Sequence, residues 1–206
     1  MASVNLSLAN YNTLRGDAPT TPLGDVIYWL LGNQDTVLYA RALARPDWAS
    51  LPAGAIVDSA TLYAYCYQYG NAGTYTIRRI LTANEGWNAN GTWNKRDGTN
   101  NWAGSVGCST EGTDYSATVM GSGAPTESQA AWHTYTFSDL TEFQAMFAAS
   151  GSFVLFLVGG GAGTFKRYYW SPGYSNESLR PYIAVEYHMP GAAAFVQQRR
   201  RRMGAE

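Results

Sequence analysis

Residues 61–69 read TLYAYCYQY, with Leu62, Ala64 and Cys66 alternating with Tyr63, Tyr65, Tyr67 and Tyr69. A period of two places successive side chains on opposite faces of a strand. The stretch therefore reads as a β-strand with a small apolar face towards a core and four tyrosines outward. Downstream, Asn71-Ala72-Gly73 is a turn, and Tyr75–Leu81 reads as the second strand of a hairpin. Upstream, Val4–Leu8 alternates, and Val26–Leu31 and Thr36–Ala40 are apolar runs around Gly32-Asn33. Trp132–Phe137, Phe153–Val158, Thr164–Trp170 and Tyr182–Tyr187 complete the strand set. One short helix is expected: Asp139-Leu140-Thr141-Glu142 has capping-box spacing, and Leu140, Phe143 and Phe147 share a helical face. The expected fold is all-β, a jelly-roll-like antiparallel β-sandwich with one short helix.

The chain has 206 residues, enough for one sizeable core. Only 14% are charged, against roughly 25% in ordinary domains, while 14% are aromatic and 22 are glycine. Such a composition disfavours disorder, which needs high charge and few aromatics, and a coiled coil. The formal net charge of −1 conceals an asymmetry, because residues 199–202 are four consecutive arginines. Residues 1–190 carry ten basic and fourteen acidic groups. The division is a sandwich domain over 1–189 and an Arg-rich arm over 190–206. The longest apolar run, Phe153–Val158, is six residues, where a bilayer span needs roughly 20, so no membrane partner is expected. MASVNLSLANYNTL has neither a basic start nor a continuous apolar stretch, so no signal peptide is read. Cys66 and Cys108 make no disulfide framework.

Other landmarks are Leu51-Pro52-Ala53-Gly54-Ala55 running into Ser59-Ala60-Thr61-Leu62, and Glu85-Gly86-Trp87 followed by Thr92-Trp93-Asn94. They are followed by Trp132 to Leu140 and by Leu179-Arg180-Pro181 before the last strand. In this order, across about residues 37–187, the landmarks resemble the DNRLRE-type domains, which are similar to the family 96 carbohydrate-binding modules. The resemblance implies a jelly-roll-like, non-catalytic module that binds glycans or builds surface structures. Two departures stand out. Family members sit beside other domains in long secreted proteins. Here Arg45-Pro46-Asp47-Trp48 replaces an "RFDL"-like strand, and a proline there implies an edge or a bulge.

Catalytic signals are thin, and no enzyme or cofactor is expected. His133 and His188 are the only histidines, and there is no G-x-S-x-G, HExxH or C-x-x-C. Gly159–Gly163 lacks phosphate-loop spacing and reads as a hairpin turn. Asp97, Glu111 and Asp114 offer carboxylates, but nothing selects the pair a glycosidase needs. The same acids offer calcium oxygens without EF-hand spacing, so no metal is assigned.

Contact chemistry is richer. The long stretch Glu85–Gly123 holds Trp87, Trp93, Trp102 and Tyr115 amid Asn88, Asn90, Asn94, Asn100 and Asn101. With Trp170 and Tyr174, beside Lys166 and Arg167, these rings form a candidate platform for a glycan. The other reading of the loop rings is a small core that holds the loop down. Tyr63, Tyr65, Tyr67 and Tyr69 form a candidate contact surface for a flat sugar or a neighbouring subunit, unless the chain's own loops cover them. The tail places Phe195 before Arg199, Arg200, Arg201 and Arg202, a candidate anchoring arm. An acidic body argues against nucleic acid. The expected partners are structural proteins of an assembly, including further copies of the chain, with a glycan as the alternative. The resemblance and the plainness of the chain place it on a virion (phage) surface, as a decoration, fibre or adhesion protein.

Overall fold

A computed structural model describes residues 1–24, 28–33, 39–125, 128–158, 161–169 and 176–190. The fold is antiparallel β with one α-helix. In chain order the strands are β1 (Ala2–Arg15), β2 (Tyr28–Asn33), β3 (Tyr39–Pro46), β4 (Ile56–Tyr69) and β5 (Thr74–Arg79). They continue as β6 (Gly121–Gly123), β7 (Ala131–Thr136), β8 (Phe153–Val158), β9 (Thr164–Tyr169) and β10 (Tyr182–His188). Helix α1 (Leu140–Ala148) lies between β7 and β8.

The pairings β1-β10-β4-β7-β6-β5-β8-β3 close back on β1, so the sheet is an eight-strand barrel rather than two clearly separate layers. Strands β2 and β9 form a ribbon joining β3 to β4. Closure follows from long strands that change partner along their length. β4 pairs with β10 over Ile56–Tyr63, with β7 over Thr61–Cys66 and with β9 from Cys66 to Tyr69. Register shifts at Cys66/Gln68, Glu186/Tyr187 and Leu8/Asn10 mark where strands bend. The last lies opposite Arg45 and Pro46, the irregularity that the proline implies.

Two expected hairpins are corrected. β5 pairs with β6 and β8, not with β4. The reason is local: after Tyr69 the amides of Gly70 and Asn71 donate to the carbonyls of Phe165 and Gly163 (2.9 and 2.8 Å), so the chain stays on β9 before crossing. Likewise β8 and β9 have different partners, and Gly159–Gly163 joins no hairpin; Gly159 and Gly160 lie outside the described residues.

Leu62, Ala64 and Cys66 are fully buried, as the alternation requires, against Leu6, Trp29, Ile77, Tyr135 and Ile183. Asp139 caps α1 by accepting from the Glu142 amide at 2.9 Å, a contact that contributes about 1 kcal/mol. Phe143 and Met146 of α1 are buried, with Leu140 and Phe147 packed at the edge. The Gln144 side chain donates to the Ala55 carbonyl at 3.0 Å and accepts from the Val57 amide at 3.1 Å, tying the helix to the start of β4.

Candidate functional site

The loop between β5 and β6 is held down by its own rings. Trp87, Trp102 and Tyr115 are buried with Leu14, Leu43, Ile80 and Val154 in a second apolar cluster. The Trp87 indole donates to Ser152 Oγ at 3.0 Å, and that of Trp102 to the Thr92 carbonyl at 3.2 Å. These three rings offer no open face, so the platform reading is corrected for them to the small-core one. Trp170 and Tyr174 lie outside the described residues.

Asp114 organises the same loop. Its fully buried carboxylate accepts from the Asn84 side chain (2.9 Å) and from the amides of Gly104 (2.8 Å), Ser105 (3.1 Å) and Thr110 (2.8 Å). Four donors replace the water that a buried carboxylate loses. The other acids are also occupied. Glu111 pairs with Arg78 at 2.9 Å. Asp97 accepts from Asn100 and from the Thr99 amide, and those bonds hold its carboxyl well below the usual range. Among the described residues, no three His, Cys, Asp or Glu side chains gather as a metal site.

Trp93 is the loop ring that reaches a groove. With Tyr39, Arg41, Phe156 and Asn33 it lines a depression of about 300 Å³. One side of its indole rests on Gly107, where an added Cβ would sit 2.6 Å from the ring. The Arg41 guanidinium lies 5.7 Å from the Trp93 ring and 5.2 Å from that of Phe156, and its Nη1 donates to the carbonyls of Gly107 and Cys108. Asn33 Oδ1 is buried beside this groove without a hydrogen-bond partner.

The tyrosine row forms the larger surface. Tyr63 and Tyr65 stand outward on β4, half-buried. Tyr63 stacks on Tyr182 of β10, with ring centres 4.9 Å apart and planes 7° apart. Tyr65 meets Trp132 of β7 edge-on at 5.4 Å, and Trp132 reaches Tyr182 at 5.6 Å. Four rings from three strands thus make one patch, with Trp132 37% exposed. Thr61, Thr134, Thr136 and Ala184 lie between them by alternation, and none carries charge.

The row is not continuous. The register shift after Cys66 turns Tyr67 towards Tyr28 (5.8 Å), and Tyr69 lies beneath the Lys166 ammonium (5.5 Å). Lys166 itself is buried, and Arg167 stacks on Tyr28. Sequence reading passed over Trp132 and Tyr182. Their signal was present: buried His133, Tyr135, Ile183 and Val185 force both rings outward by alternation. Phe195 and Arg199, Arg200, Arg201 and Arg202 of the arm lie outside the described residues.

No family model matches the chain, and a search of curated proteins finds no similar sequence.

Proposed function

We propose that the protein is a non-enzymatic structural module whose working surface is the patch of Tyr63, Tyr65, Trp132 and Tyr182. The observation that carries the proposal is the joining of these rings across β10, β4 and β7 into one uncharged, partly exposed face. The partner we assign is a second copy of the chain. A charged patch repels its own image, whereas a surface of phenol and threonine hydroxyls both donates and accepts, so it complements itself across a twofold axis. A sugar fits this face less well. Stacking on a sugar needs a free ring face, and the Tyr63–Tyr182 stack covers the facing sides of both rings.

In this reading the barrel is a folded, jelly-roll-like module. That finer description is supported by β1 pairing with two strands and β4 with three along their lengths, and by the resemblance to DNRLRE-type domains. Virion surface is the setting we propose, with the Arg-rich arm as a second attachment to the assembly. The non-enzymatic part is supported by Asp97, Glu111 and Asp114 each having structural partners.

Thr134 lies beside Tyr63 in the register and is exposed. Under mild oxidation Thr134→Cys is expected to yield a disulfide-linked dimer, because both native cysteines are buried. Thr118→Cys, on the distant loop, is expected to stay monomeric on a non-reducing gel. Equal cross-linking of the two variants would remove the proposed face.

A second reading rests on the Trp93 groove. An indole, the Tyr39 ring, a guanidinium and an unpartnered amide oxygen suit a sugar ring, whose C–H groups meet aromatic faces while its hydroxyls bond polar atoms. If a glycan array finds a ligand, Trp93→Ala is expected to weaken it about tenfold or more, since truncating a ring at the centre of a contact costs about 2 kcal/mol. Unchanged binding would place the sugar elsewhere.

A further inference from the structure

Directly behind Trp132, on the inner face of β7, His133 is 3% exposed. Its Nε2 lies 3.1 Å from Ser128 Oγ and its Nδ1 3.0 Å from the Tyr168 hydroxyl. The Tyr168 hydroxyl bonds in turn to that of Tyr135, and both tyrosines are fully buried. Counting protons fixes the direction of this chain. A neutral imidazole donates at one nitrogen and accepts at the other. Were Nδ1 the donor to the Tyr168 oxygen, one of the two phenol protons would be left without an acceptor among these groups. With Tyr135 donating to Tyr168 and Tyr168 to Nδ1, Nε2–H donates to Ser128 and every proton has an acceptor.

Among the described residues, the ionisable groups around the chain are Tyr168 and Lys166 from β9, Tyr135 from β7, Tyr75 from β5 and Cys66 from β4. None is a carboxylate, so no anion among these groups offsets a charged imidazole. We propose that His133, Tyr168 and Tyr135 form an acid sensor: a second proton on the ring reverses the His133–Tyr168 bond, strands one of the two phenol protons, and loosens β7 against β9. Trp132 is the adjacent residue on β7, so the loosening withdraws it from the aromatic face. This last step rests on the function proposed for that face.

Burial, and then the Lys166 cation, lower the His133 pKa below the usual histidine range. The unfolded chain therefore takes up its proton first, near pH 6.5. Stability from this group is complete above that pH and falls as the pH drops towards the folded value.

The test compares the full-length protein with His133→Gln, whose amide oxygen accepts from Tyr168 and whose NH2 donates to Ser128, without titrating. Hydrogen-exchange protection is read on dilute, monomeric protein at pH 7.5 and 5.0. Protection of residues 131–136 and 164–169 is expected to fall at least tenfold in the wild type, relative to residues 2–7, and to hold in His133→Gln. Equal falls in both proteins, or none in the wild type, overturn the sensor. Nitrogen chemical shifts of the wild-type imidazole at pH 7.5 should report the Nε2–H tautomer, and the Nδ1–H tautomer overturns it independently of any variant. Sedimentation at pH 5.0 tests the link to the face: the wild type dissociates while His133→Gln stays associated. Equal association of the two overturns the link. Because exchange is measured on single chains, the sensor stands or falls apart from self-association.

Discussion

Asp114→Ala is expected to lower the melting temperature by roughly 10 °C. The substitution leaves the Asn84 amide and the amides of Gly104, Ser105 and Thr110 without their shared acceptor. The buried Asn84 donor costs about 1–3 kcal/mol when orphaned, and the three part-buried amides cost less each because water reaches them more readily. Together these costs give a net loss of about 4 kcal/mol, and a chain of this size loses about 2–4 °C per kcal/mol. Asp114→Asn is expected to recover only part of the loss. One oxygen remains for two donors, but the new NH2 faces the other two. Thermal unfolding followed by circular dichroism measures both variants, and a drop under 3 °C for Asp114→Ala would show that the loop does not depend on this carboxylate. Trp93 belongs to the same loop, its carbonyl accepting from the Gly107 amide. Loss of Asp114 should therefore also loosen the groove while leaving the face on β4, β7 and β10 in place.

The inward and outward faces of β4 could be read from the sequence because TLYAYCYQY combines strict alternation with a sharp size contrast. The capped helix was legible for a similar reason, since its signals are local. Other features are set by distant pairing. β1 extends from the expected Val4–Leu8 to Arg15 because its second half pairs with β3, where the polar Asn12 and Thr13 are buried. Asn12 donates to the carbonyls of Asn88 and Gly91 at 3.0 and 2.9 Å, a partnership no local pattern reveals. The two false hairpins arose from reading a turn as a pairing. Barrel closure depends on register shifts, which leave no compositional mark. At the candidate site, alternation within each strand gives the direction of Trp132 and Tyr182, but only the registers Tyr65↔Trp132 and Tyr63↔Tyr182 bring them together. The fate of the loop tryptophans turned on burial alone. Trp87 and Trp102 sit in the small core, and Trp93 at its rim lines a groove.

Trp132→Ala is expected to weaken self-association at least about thirtyfold. A large ring at the centre of a contact is the kind of residue whose truncation costs 2 kcal/mol or more. Trp132 touches both Tyr65 and Tyr182, so its loss also frees those rings from the packing that aligns them. The effect on folding should be small by comparison, since the side chain lies on the solvent side of β7. A melting temperature within about 3 °C of wild type follows from that placement.

Sedimentation equilibrium of the wild-type protein and Trp132→Ala, run together at pH 7.5 over a wide range of concentration, shows whether the aromatic face joins two copies of the chain. The expected result is a reversible wild-type dimer and a variant that is folded and monomeric over the same range. A wild-type protein that remains monomeric throughout, or a variant that dimerises with unchanged affinity, would contradict the assignment of the aromatic face as the site of contact between copies.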